Sequence, residues 1–313
     1  MRIFVAGGTG AIGKFLLPQL VDDRHDVIAL ARSERKAAAA RAVGARVVTA
    51  DPFDRDELTE CIKKAEPEVI IHHLTALAGA GNFKKFDDEF ELTNRLRTEV
   101  TDTMISAGRI VGVRRFIAQS FCGWPFAREG GPVKTEEDRL DPNPPASFRK
   151  TLAALRSLED SVRNAADLKA IALRCGMFYG PGTSFSKDGL IVGMVRKRRL
   201  PIVGDGAGIW SFIHVKDVVG ATVAALSHGE PGVYNVVDDD PAAVATWLPY
   251  LANIVGARTP RKIPVWFGKL AIGEGGVSMM TRVRGGSNEK AKRQLAWQPI
   301  YPSWREGFVD GLE

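Results

Sequence analysis

Residues 3–13 read Ile3-Phe4-Val5-Ala6-Gly7-Gly8-Thr9-Gly10-Ala11-Ile12-Gly13, and this stretch decides the fold. Four apolar residues closed by a glycine cluster predict a buried strand, and the apolar periodicity over Ala11 to Val21 predicts a helix. Glycines in the connecting turn let backbone N–H groups approach a pyrophosphate, and the helix N-terminus adds its positive dipole. A glycine pattern alone is weak. Placed between a strand and a helix it becomes specific for a dinucleotide, and Gly7, Thr9, Gly10, Ala11, Ile12 and Gly13 are the residues expected to touch it.

Working outward, β-branched runs alternate with helical patterns through the first 175 residues. Strands are expected at Ile3 to Ala6, Asp26 to Ala31, Arg46 to Thr49, Glu68 to His73, Arg115 to Gln119 and Lys169 to Arg174. Helices are expected at Ala11 to Val21, Arg35 to Val43, Asp54 to Ala65 and Asp87 to Ala107. The fold class is therefore α/β, a doubly wound parallel sheet covered on both faces. Beyond Arg174 the chain is punctuated by proline and glycine and carries Trp247, Trp266, Trp297 and Trp304. We divide it into a nucleotide-binding domain, residues 1–175 plus 211–240, and a smaller mixed substrate lobe, residues 176–210 plus 241–313.

Composition excludes several classes. The net charge of +6 arises from 43 basic and 37 acidic residues that are interspersed, and the densest basic run is Arg196-Lys197-Arg198-Arg199. This is a solvated helix end and not a nucleic-acid surface. Cys61, Cys122 and Cys175 form no CxxC pattern, which points to a reducing compartment and not to a disulfide framework or structural zinc. Met1-Arg2 leads straight into the first strand, and no apolar run approaches the ~20 residues of a membrane span, so a cytoplasmic, membrane-free protein is expected.

The end of the second strand selects the cofactor. A site for NAD carries an acidic residue there, whereas Ala31 is followed by Arg32 and Ser33, with Arg35 and Lys36 close behind. A guanidinium matches a phosphate, so NADP(H) is expected, with Arg32 on the 2′-phosphate. Asp51, with Pro52, ends the third strand where an adenine amino group would lie; Asp54 is the better cap for the helix that follows. Leu74, Thr75 and Ala76 pass beneath the cofactor. His72 and His73 face opposite sides of a strand and have no third ligand in view, so no metal is expected.

Together with Asn94, Ser120, Leu173-Arg174, Tyr179-Gly180-Pro181-Gly182, Gly204-Asp205-Gly206, Phe212-Ile213-His214-Val215-Lys216-Asp217, Tyr234-Asn235-Val236 and Trp297-Gln298-Pro299, these motifs resemble the extended short-chain dehydrogenase/reductase superfamily, Rossmann proteins of the NAD-dependent epimerase/dehydratase type. The resemblance runs nearly end to end. It implies that residues 74–76 and 175–178, Gly176 included, line the nicotinamide half, that Asn94 is structural, and that the chain forms a homodimer through a helix pair. It also implies a Tyr-x-x-x-Lys pair that gives or takes the proton. None of the four tyrosines has a lysine four residues later. Aligning on Glu159 and Arg174 puts Thr151 at the tyrosine position and Leu155 at the lysine position, while shifting to use Lys150 puts Ala146 at the tyrosine position; either choice leaves no phenol, as in the superfamily's atypical branch.

Ser120 and Thr151 are the hydroxyls left to contact a substrate carbonyl. Losing a positioned acid forfeits about 10²–10⁴ in rate, but hydride transfer stays feasible if the substrate polarises its own carbonyl or water delivers the proton. The first reading is an NADPH-dependent reductase of an apolar or aromatic ketone, with Trp124, Phe126, Phe185 and Trp210 on loops that could flank the pocket. The second is an NAD-dependent nucleotide-sugar epimerase or dehydratase. The third is a non-catalytic NADP(H)-sensing or partner-binding protein.

Overall fold

The computed structural model describes residues 1–77 and 82–313. Seven parallel strands form its central sheet: β1 (Arg2–Ala6), β2 (Asp26–Ala31), β3 (Arg46–Thr49), β4 (Val69–His72), β5 (Arg115–Phe121), β6 (Ile171–Cys175) and β7 (Gly232–Val236). Their order is β7-β6-β5-β4-β1-β2-β3, which reverses beside β1. Ligands of such sheets bind at the carboxyl ends of the strands, in the crevice where the order reverses. The glycine turn sits there.

Alternation along each strand builds two cores. Ile3 and Val5, Val27 and Ala29, Val69 and Ile71, and Ile171 and Leu173 face the helices Gly13–Asp22 and Val215–Ala224. Phe4 and Ala6, Ile28 and Leu30, Ile70, Phe116 and Ala118 face the helices Arg55–Ala65, Thr101–Val111 and the end of Arg149–Arg163. Strands buried on both faces read as continuous apolar runs, which is why they are conspicuous in the sequence. The seventh strand, Gly232–Val236, lies outside the expected set.

Two helices depart from expectation. The segment read as one helix from Asp87 contains a short helix Phe86–Glu89, then Glu91–Arg95, a π-turn Leu96–Val100, and Thr101–Val111. The helix Arg149–Arg163 has no local side-chain cap, because Phe148 occupies its N-cap. Asp87 supplies the cap from 64 residues away: its carboxylate accepts the Lys150 and Thr151 N–H groups at 2.9 and 2.8 Å.

A third core packs Phe185, Trp210, Phe212, Trp247, Trp304 and Phe308 together. Phe86, Trp124, Phe148, Leu152 and Leu155 from the first half of the chain join it. One helix thus serves two cores: Leu152 and Leu155 belong to the third, Leu158 and Val162 to the one against the sheet.

Candidate functional site

The glycine turn is packed to the limit of backbone approach. Gly7 has φ of 98°, and a Cβ there would lie 2.6 Å from the carbonyl carbon and oxygen of His73. A Cβ on Gly13 would lie 2.2 Å from the Gly8 carbonyl carbon. Gly10 N–H closes the turn onto Gly7 O at 3.0 Å, and the helix ladder begins with Lys14 N–H donating to Gly10 O at 3.1 Å. Among the described residues the Ala11 and Ile12 N–H groups have no partner, so they remain to meet an anion. Thr9 is half-buried beside them.

Past β2, Arg32 and Arg35 are exposed and Lys36 is half-buried. Burial, then the charges of Arg32 and Arg35, hold the Lys36 ammonium below its ordinary pKa, so the three cations share one field. Glu34 is tied to Arg41 at 2.5 Å and does not neutralise them. Ser33 is the N-cap of the helix Glu34–Arg41, but its hydroxyl makes no capping bond. Three cations and a free hydroxyl at a helix N-terminus fit a phosphate. Asp51 is exposed, with Oδ1 accepting Phe53 N–H at 3.0 Å, and Pro52 is buried behind it. Asp54 caps the next helix, accepting Asp56 and Glu57 N–H at 3.1 and 2.9 Å.

At the end of β4, Leu74, Thr75 and Ala76 form the floor of the crevice, and Ala76 N–H is anchored on Thr93 Oγ1 at 2.9 Å. His72 and His73 turn to opposite faces. His72 Nε2 meets Leu96 O at 3.1 Å; His73 bridges Gln119 Oε1 at 3.2 Å and Thr222 Oγ1 at 3.3 Å. Burial pushes both rings down to about 4, so they are neutral in the fold. An unfolded chain protonates them near 6.5. The stability each neutral ring contributes is therefore complete above 6.5 and lost as pH falls toward 4. The gap in urea stability between wild type and His73→Asn should shrink from neutral pH to about pH 5. An unchanged gap would mean that His73 is charged in the fold.

Ser120 and Thr151 each hydrogen-bond a carboxylate. Ser120 is buried and its hydroxyl donates to Glu159 Oε1 at 2.8 Å. Glu159 in turn holds Arg174 through Nε at 2.7 Å and Nη2 at 2.6 Å, beneath the sheet face. Thr151 is buried, donates to Asp87 Oδ1 at 2.7 Å and accepts Asn94 Nδ2 at 3.0 Å. Both hydroxyl protons are directed to carboxylates in this structure. Leu155 is packed among apolar side chains. Asn94 is structural as expected, linking Thr151 to Arg97 at 3.3 Å.

An apolar cleft opens at the carboxyl ends of β5 and β6, lined by Phe121, Cys122, Trp124, Met177, Trp210 and Met279 together with Ser211. Among the described residues no charged side chain lines it. Trp124 and Trp210 reach it; Phe126 and Phe185 do not. Phe126 is buried 5.3 Å under the Arg174 guanidinium, and Phe185 stacks on Phe308. Gly176 borders this end because a Cβ there would lie 2.7 Å from Ser211 O. A wider cleft of about 650 Å³ lies between the helix Arg149–Arg163 and the start of β7, away from the glycine turn, and its walls are largely paired charges such as Arg163 with Asp160.

Comparison with known proteins follows this geometry. Residues 3–237 match the model of the NAD dependent epimerase/dehydratase family. A 3-diazoavenalumate denitrifying reductase of Streptomyces sp is 39% identical over 309 residues, 98% of this chain and 99% of that one. A 4-hydroxy-2-methyl-3-oxo-4-farnesyl-3,4-dihydroquinoline-1-oxide ketoreductase of Stigmatella aurantiaca is 28% identical over 262 residues, covering 82% and 74%. The crystal structure of UDP-glucose 4-epimerase from Thermotoga maritima superposes with a TM-score of 0.79 at 21% identity, covering 100% and 97%. The glycine cradle, the sheet order and these similarities together place the chain in the NAD-dependent epimerase/dehydratase family, within the extended short-chain dehydrogenase/reductase superfamily.

Proposed function

We propose that this protein is an NADPH-dependent reductase whose acceptor takes a hydride and needs no proton from the protein. The observation that carries this reading is the saturation of Ser120 and Thr151, both donating to carboxylates, where an acid would otherwise stand. Bound NADPH would supply the hydride. The chain's own residues hold its phosphates at Ala11 and Ile12 N–H and at Arg32, Ser33, Arg35 and Lys36, and line the cleft with apolar side chains.

Reducing a ketone leaves an alkoxide that must be protonated, and among the described residues lining the cleft there is no carboxyl, imidazole, ammonium or phenol to supply that proton; the Ser211 hydroxyl can hydrogen-bond an oxygen but is too weak an acid to protonate it. An arenediazonium carbon has no such need. Hydride forms the new carbon–hydrogen bond, the carbon–nitrogen bond breaks with its electron pair leaving on dinitrogen, and charge balances without a proton. The similarity to a diazo-reducing relative supports this acceptor class. A ketone, favoured by the ketoreductase relative, remains the second reading and would take its proton from water. The uncharged cleft argues against a sugar nucleotide, whose diphosphate would meet no cation there.

Two assays test the reading. NADPH consumption should be at least ~100-fold faster with an arenediazonium than with an aryl ketone of similar shape; equal rates would return the reading to ketone reduction, and no turnover of either would leave a cofactor-binding protein. Arg32→Ala should weaken NADPH about 10-fold and leave NADH unchanged, as expected for one charge-assisted contact to phosphate. An equal loss for both cofactors would remove Arg32 from the phosphate.

A further inference from the structure

The apolar cleft contains one hydroxyl, and its hydrogen-bond account is incomplete. Ser211 is buried, and its Oγ accepts Gly286 N–H at 2.9 Å. Its carbonyl accepts Met177 N–H at 2.8 Å. A serine hydroxyl also has a proton to give, and among the described residues that proton has no acceptor. Backbone packing fixes the group in place, since a Cβ on Gly285 would lie 2.9 Å from Oγ. Of the two indoles lining the cleft, Trp210 spends its N–H on Met279 O at 2.8 Å. Ser211 is thus a held donor in a wall of aromatic rings and thioethers.

We propose that Ser211 sets substrate specificity: its hydroxyl donates to an oxygen on a flat aromatic ligand that enters between Trp124, Trp210, Met177 and Met279. The proposal rests on the reductase reading for what happens next, but concerns only which molecules the cleft selects. The free space in the cleft is about 10 Å³, so a ring enters only as side chains turn. Met177 and Met279 are suited to that, because thioether chains are flexible and repack at little cost. Before a ligand arrives the cleft has room for no more than a single water on Ser211, which the ligand's oxygen would displace.

The test compares two rings of the same shape, para-cresol and para-xylene, by ligand-observed NMR on the NADP-saturated protein. Wild type should bind the cresol about 2- to 10-fold more tightly, the worth of one neutral hydrogen bond. Ser211→Ala should erase that preference while leaving xylene and NADP binding unchanged. Ser211→Cys keeps the size with a weaker donor, and gives the same readout should the alanine variant fail to fold. A preference that survives both substitutions, a wild type that binds the rings equally, or a protein that binds neither would overturn the proposal. Failure of the reductase reading would look different, as a cresol preference in a protein that never consumes NADPH.

Discussion

Gly7→Ala loses NADPH binding by on the order of 100-fold or more while the chain stays folded, as followed by titration and by circular dichroism. Two costs meet at this residue. Its φ of 98° lies where a side chain is strained by roughly 1–3 kcal/mol. Its Cβ would also stand 2.6 Å from the carbonyl carbon and oxygen of His73, which are backbone atoms and cannot rotate away. The turn and the floor at 73–76 must therefore separate, and both are surfaces the cofactor needs. The sheet beneath keeps its pairing, because β1 is held by both β2 and β4. Near-normal affinity in Gly7→Ala would show that the cofactor does not depend on this contact.

The second large effect is on stability. Glu159→Ala should cost about 3–5 kcal/mol in urea unfolding, the usual result of removing one partner from a buried ion pair. Glu159 is 1% exposed and Arg174 is 1% exposed, so the guanidinium would be left without its bidentate acceptor. Ser120 would lose its acceptor too. Ser120→Ala removes only the hydroxyl and should cost about 0.5–1.5 kcal/mol. Replacing both charges, as in Glu159→Leu with Arg174→Met, should recover much of the loss, because the uncompensated charge is what destabilises. A mild effect of Glu159→Ala would mean that water reaches Arg174.

The legible part of this molecule is what local sequence controls. Five of the six expected strands are buried on both faces and read directly as apolar runs, while Arg46–Thr49 at the sheet edge is marked only by its paired valines; the glycine turn announces itself by position. Arg32 was legible because it stands where an acid would be required. The seventh strand was not, since Gly-Val-Tyr-Asn-Val is short, mixed in polarity and lies at the sheet edge. The cap on the helix Arg149–Arg163 could not be read either, because Asp87 is distant in sequence and its own neighbours look like a helix start. The same holds for the hydrogen bonds of Ser120 and Thr151, because each depends on a carboxylate distant in sequence, Glu159 and Asp87. Trp124 and Phe126 differ by two residues, and only the fold decides that one meets the cleft and the other Arg174.

The central claim, hydride delivery to an acceptor that needs no proton, is tested most directly by tracing the label. The protein is given NADPH carrying deuterium at the transferred position together with an arenediazonium, and the arene is analysed by mass spectrometry after reaction in light and in heavy water. The account predicts one deuterium at the carbon that bore nitrogen, all of it from the cofactor, at a rate indifferent to the solvent isotope. Arene whose new hydrogen comes from the solvent, or a rate that falls markedly in heavy water, would contradict it.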